Sequence, residues 1–329
     1  MREIVFIRQN VEKWRQYEKI LNGEMTVSPD VLSDLFIQIT DDLSYSRTHY
    51  PGSKTVEYLN ELAVRTHQKI YLVKKEETSR IKYFWLTELP LLFYERRFYL
   101  LYSFLFFFLF SFIGSISALK DDTFIRYVLG DLYVEETLRN IRNGNAMGIY
   151  GSSGQAEMFF RISLNNIWVS FKAFSAGMLA SVGTVYILFT NGVMLGAVQT
   201  FFYQQQVLGE SLLAIWVHGT IEITCIIVAG AAGFVLGNSF LFPGTYSRLV
   251  SLMKGAKDGT KMIIGLVPLF VLAAFLEGFV TRYSKQLPAL AFTVIVLSLF
   301  FCIYYFVWYP YQLFRRYESN PGITRNPSK

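Results

Sequence analysis

Apolar residues recur along the first 79 positions at the three-to-four-residue spacing of helices that bury one face. Val11, Trp14, Tyr17 and Leu21 form one stripe, with Gly23 just past its end. Ser28-Pro29-Asp30 then offers an N-cap, a proline at the first helical position and an acid in the first turn. Val31, Leu35, Ile39 and Leu43 carry the second stripe, His49-Tyr50-Pro51-Gly52 breaks the chain, and Val56, Leu59, Ala63, Thr66 and Ile70 mark the third. Residues 1–79 are therefore expected to form a three-helix bundle.

From residue 80 the pattern changes. Tyr83, Phe84, Trp85, Phe93 and Tyr94, flanked by Arg80, Lys82, Arg96 and Arg97, suit a segment (80–97) lying at a membrane interface and kinked near Pro90. Six apolar runs follow, at about 98–119, 168–190, 192–206, 212–237, 262–281 and 287–309. About 20 residues cross the hydrocarbon layer, and five of the six suffice. The run at 192–206 covers only about 22 Å, so it is expected to be short or re-entrant and to begin at Asn191-Gly192. The expectation is an all-α membrane protein with about six transmembrane helices. A loop at 120–166 holds a short helix near 131–142, and a basic tail occupies 310–329.

Charge gives the orientation. The first 97 residues hold 15 Lys/Arg and 14 Asp/Glu, whereas much of the remainder is nearly charge-free. Arg248, Lys254, Lys257 and Lys261 crowd the 238–261 loop; Arg315, Arg316, Arg325 and Lys329 follow the last run. Six crossings put these regions and the N-terminal bundle on one side, the cytoplasmic face of a bacterial inner membrane. No secretory leader is expected, because Met1 to Asn10 has no apolar core. The net charge of +6 reads as this orientation signal and not as a nucleic-acid surface. Cys225 and Cys302 both fall within apolar runs and read as small core residues.

Within the spans stand four ionisable residues, Lys172, His218, Glu222 and Glu277. Such groups are costly in hydrocarbon and are functional candidates by default. His218 and Glu222 are four residues apart in Trp216-Val217-His218-Gly219-Thr220-Ile221-Glu222 and share a helix face. Counted from the helix ends, Lys172 and Glu277 lie about 6 Å deep, His218 about 9 Å and Glu222 about 15 Å. A Lys172–Glu277 ion pair and a His218–Glu222 hydrogen bond that hold the helices together are the first expectation; proton or solute movement is the second. A metal or other cofactor is not expected: His49 and His67 belong to the first 79 residues, and the second histidine of the H-E-x-x-H helix is missing. Asn165-Asn166 and Asn191 read as caps or turns. Gly177, Gly192, Gly196, Gly219, Gly233 and Gly237 read as helix-packing positions, also suited to dimerisation.

Over nearly its whole length the chain resembles the stage II sporulation protein M family of bacterial membrane proteins. The resemblance lies in HYPGS with YLNELAVRTH, Asn165-Asn166, FTNGVMLGA at 189–197, WVHGTIEI, IIVAGAAGFVLGNSFLFPGTY and AAFLEGF. It implies a membrane platform that recruits partner proteins, including cell-wall enzymes, with no enzymatic activity of its own. Expected partners are the lipid bilayer, a second copy, other membrane or cell-envelope proteins and a cytoplasmic ATPase; nucleic acid is not expected. The competing reading is a transporter or channel subunit whose polar pathway runs by His218, Glu222 and Glu277. An intramembrane hydrolase using Glu222 and His218 ranks third.

Overall fold

The computed structural model describes residues 2–25, 29–73, 80–148 and 155–319. The N-cap expected at Ser28 and the tail residues Arg325 and Lys329 lie outside them, as does the side chain of Ile70. Among the described residues there are helices and no strand. The chain divides into two compact units, Met1–Lys82 and Tyr83–Lys329.

The first unit is built by the three stripes: α1 (Glu3–Leu21), α2 (Pro29–His49) and α3 (Lys54–Val73). Phe6, Trp14, Tyr17, Ile39, Leu43, Leu59, Leu62 and Ala63 make its core. Two buried polar groups are satisfied: Trp14 Nε1 donates to Asp42 Oδ2 at 2.8 Å, and Tyr17 OH donates to the Leu35 carbonyl at 2.6 Å. Burial, helped by the Asp42 carboxylate, raises the Tyr17 phenol well above its ordinary range, so it remains a donor at any physiological pH. Val31, placed in the second stripe, is instead exposed, and the neighbouring Leu32 turns inward.

The division falls within α4 (Arg80–Tyr83); in the second unit a π-helical turn (Phe84–Glu88) and α5 (Leu89–Glu95) run almost continuously into α6 (Arg97–Lys120). This stretch does not simply lie on a surface. Phe93 is fully buried against Phe306, Leu89 packs into the main core, and Tyr305 OH donates to the Trp85 carbonyl at 2.8 Å. Short helices α7 (Asp122–Leu129) and α8 (Asp131–Arg142) follow α6. Then come α9 (Gln155–Ser175), α10 (Val182–Gln204), α11 (Leu208–Leu241), α12 (Arg248–Phe275), α13 (Pro288–Ile303) and α14 (Tyr309–Ser319).

Among the described residues, five helical stretches are long and apolar enough to cross a membrane: Arg97–Lys120, Val182–Gln204, Leu208–Leu241, Arg248–Tyr283 and Pro288–Ser319. The more polar α9 is patterned inside-out. Phe160, Leu164, Trp168 and Phe171 form an exposed apolar stripe, while Ser163 and Ser170 are buried. That is how a bilayer helix sorts its residues, and it brings the crossings to about six. α11 is the central helix, packed against α6, α9, α10, α12 and α13.

The expected break at Asn191-Gly192 falls twelve residues earlier. α9 closes with a 3₁₀ turn at Ala176–Met178, and α10 begins after Leu179–Ser181. Ala180 and Ser181 adopt left-handed backbone, φ 51° and 67°. The run at 192–206 is therefore neither short nor re-entrant; it is the second half of a 23-residue helix. Asn191 sits inside α10 and donates to the Ile187 carbonyl. The real break holds no proline, asparagine or charged residue, only Ser181 with Gly177 and Gly183 on either side, so the apolar pattern runs through it.

Lipid offers no hydrophobic drive between helices, so contact has to come from close packing. A Cβ on Gly177 would collide with the backbone of Gly233, and one on Gly237 with Ser181. Gly192 and Gly196 lie on the α6 backbone at Phe107 and Ser111. These glycine faces are used within the chain. Gly219 differs, since a methyl there would make only ordinary contacts with Ile215 and Ile223.

Two predictions follow from this packing. Trp14→Ala is expected to cost the first unit about 3–5 kcal/mol, read by urea denaturation of excised residues 1–79. In the full chain in detergent, Gly233→Val is expected to cost at least about 1–3 kcal/mol through overpacking, seen as a lower Tm. Gly219→Ala should leave Tm unchanged or raise it, because glycine costs a helix up to about 1 kcal/mol relative to alanine.

Candidate functional site

The polar residues of the spans meet where α11 passes the end of α12. His218 and Glu222 are one turn apart on α11, and His218 is only 5% exposed. After Phe275 the α12 helix widens into a π-helical turn, Leu276–Val280, then tightens into a 3₁₀ turn, Thr281–Tyr283. π-helical insertions re-aim side chains and are frequent at functional sites. Here Glu277 and Thr281 both turn toward His218.

Both ring nitrogens of His218 face partners. Nδ1 lies 3.1 Å from Thr281 Oγ1, a hydroxyl that also lies 3.2 Å from the Leu276 carbonyl. Nε2 lies 3.8 Å from Glu277 Oε2. From α9, Asn166 Nδ2 donates a short hydrogen bond to Glu222 Oε1. One nitrogen of His218 and one oxygen each of Glu222 and Glu277 lie within 4.8 Å of one another, a set that can hold a metal ion.

The arrangement differs from the expected one in its partners. Lys172 stands apart, exposed on α9, and no ion pair involves it among the described residues. The reason is the early end of α9: Lys172 falls in its last turn, away from the π turn. Glu277 faces His218 instead. Asn165 and Asn166 do not cap a helix, since both lie in the middle of α9; Asn165 is exposed and Asn166 reaches the site. Thr281 went unread, although its spacing from Glu277 repeats that of His218 and Glu222.

Beyond Thr224 and Cys225, as far as Gly237, the side chains of α11 are apolar, with Ser103 and Thr184 of neighbouring helices packed on them. From Ile227 to Gly237 every α11 residue is buried, and all are apolar or glycine. The cavity near this stretch, 560 Å³ between α6 and α13, is lined mainly by Phe, Leu, Ile and Val side chains, with Thr220, Thr224 and Arg97 among the rest.

Fold and site together define a multi-span all-α membrane protein with a buried polar centre. The family model for stage II sporulation protein M matches residues 103–282, and the chain belongs to that family. The match contains every residue of the polar centre. A second model, a domain of unknown function (DUF8413), matches residues 4–72, which is the described three-helix unit. Searches of curated proteins and of solved structures find no match.

Asn166 and Lys172 now separate clearly. Asn166→Leu removes the donor to a buried carboxylate and should destabilise the purified protein by about 1–3 kcal/mol. Lys172→Ala, at an exposed position, should stay within about 0.5 kcal/mol. Thermal melts of both variants in one detergent check the pair; equal losses would contradict the placement of Lys172.

Proposed function

We propose that this protein is a non-enzymatic platform in the bacterial inner membrane that holds partner proteins of the cell envelope. The carrying observation is the α7–α8 cap beyond the spans. Its inner face, through Ile125 and Val134, packs on Phe201 and Phe202 of α10. Its outer face presents Tyr127 and Leu132, each 89% exposed. Two large apolar side chains held outward on a braced hairpin suit a protein contact. Arg126 stiffens the hairpin by pairing with Asp131 at 3.2 Å and Glu135 at 2.7 Å.

The opposite end is basic. Arg96, Arg97, Arg248, Lys254, Lys257 and Lys261 gather there, with Arg96 bound to Asp258 at 2.6 Å. By the positive-inside rule this is the cytoplasmic end. α5 and α14 pack against one another, so both ends of the second unit share that side. A cytoplasmic ATPase would be met there, and cell-wall enzymes at the cap.

A transporter or channel subunit is the second reading, favoured by the buried His218, Glu222 and Glu277. The apolar stretch from Ile227 to Gly237 argues against it, because it gives a polar solute no continuation toward the basic end. Self-association, if it occurs through helices, has to use exposed apolar faces, since the glycine faces are internal.

Crosslinked affinity purification from native membranes tests the platform. Defined envelope proteins should be recovered with wild type and lost with Tyr127→Ser/Leu132→Ser, whose Tm should move by no more than about 0.5 kcal/mol equivalent. Recovery identical to that of an unrelated membrane protein, together with solute flux in liposomes abolished by Glu222→Gln, would replace this reading by the second.

A further inference from the structure

We propose that His218, Glu222 and Glu277 form a binding site for one divalent first-row transition ion of the zinc class. One nitrogen and two carboxylate oxygens converge from two elements, α11 and the π turn after α12, within 4.8 Å of one another. The His218 Nε2–Glu277 Oε2 separation of 3.8 Å is near the roughly 3.4 Å edge of a tetrahedron with bonds of about 2.0–2.1 Å. A small side-chain rotation closes the difference. Three protein ligands leave a fourth position for water.

The surroundings supply an independent observation. Metal-binding histidines hold their other ring nitrogen in a hydrogen bond that fixes the tautomer, and ligating carboxylates are themselves hydrogen-bonded. Both partners are in place: Thr281 Oγ1 lies 3.1 Å from His218 Nδ1, where it accepts once Nε2 binds the ion, and Asn166 donates to Glu222. Nε2 and the carboxylate oxygens lie close together.

Charge favours a dication. Two carboxylates this close in a buried site repel one another and lose hydration. A 2+ ion cancels both charges and replaces the lost water with direct bonds. The imidazole ligand favours zinc, iron, nickel or copper over magnesium and calcium, which prefer all-oxygen shells. The ion would clamp α11 to the end of α12, and through Asn166 bring α9 under the same control.

The test uses full-length protein in detergent, stripped with chelator, loaded with Zn²⁺ in the presence of excess Mg²⁺, and assayed by elemental analysis. Wild type should retain about one ion per chain, as should a variant with His49→Ala and His67→Ala. The triple variant His218→Ala/Glu222→Gln/Glu277→Gln should retain none. Thr281→Val, which keeps every ligand, should bind one ion about 10–100-fold more weakly; this arm does not depend on the triple variant folding. Co²⁺ in the wild-type site should give the strong visible bands of a low-coordinate centre. Occupancy equal in wild type and the triple variant, occupancy that follows His49 and His67, or a Co²⁺ spectrum matching the hydrated ion would each overturn the proposal.

Discussion

The polar centre depends on the close approach of backbones where the α9–α10 turn meets α11. Gly177 lies on Gly233, Gly237 lies on Ser181, and Thr184 Oγ1 donates to the Ala173 carbonyl at 2.8 Å. In a bilayer this dispersion contact has no hydrophobic effect to reinforce it, so its closeness matters more than its area. It fixes the lower half of α9 against α11. Two turns earlier on α9, Asn166 then arrives at Glu222. A side chain at any of these glycines would push α9 outward and withdraw that donor.

The same contact explains where sequence reading succeeded and where it failed. Membrane class, helical content and the three-helix first unit follow from apolar spacing, because Trp14, Tyr17, Ile39 and Leu59 are buried at the positions the stripes assign. His218, Glu222 and Glu277 were legible because ionisable groups in apolar runs are rare. The break between α9 and α10 was not. Turns are read from glycine, proline and asparagine, whereas this one places Ala180 and Ser181 in left-handed backbone. Such conformations cost on the order of 1–2 kcal/mol per residue and persist where packing over-determines them. Here the packing is against Gly237, some 56 positions away in sequence and invisible to a local rule. Misplacing that turn misplaced Lys172 and Asn191, whereas the start of α9 at Gln155, thirteen residues before the apolar run, misplaced Asn165 and Asn166.

The π turn was hidden for a related reason. A π insertion is a change of hydrogen-bond register with no composition of its own, so a regular helix through Glu277 was the only local expectation. Its effect is chemical. It sets Glu277 and Thr281 on the side of α11, where one places a carboxylate 3.8 Å from His218 Nε2 and the other a hydroxyl 3.1 Å from Nδ1. A lysine facing Glu277 would have offered a simpler neutral pair. The chain instead gathers two carboxylates and an imidazole.

A centre of this kind, sealed on the basic side by Ile227–Gly237, is poorly placed to pass ions or solutes through the bundle. It is well placed to pass mechanical state. α9, α11 and the end of α12 meet there, and the α10 residues Phe201 and Phe202 carry the α7–α8 hairpin. Lys285, just past the 3₁₀ turn that holds Thr281, bonds the Gly144 carbonyl beyond α8 at 2.9 Å and pairs with Glu210 on α11. Lys285 thus ties the end of α12 to the end of α8 and to α11. A change of state at the centre would reach the cap only through an element with two arrangements, and among the three π turns of the described residues Leu276–Val280 is the one that carries Glu277.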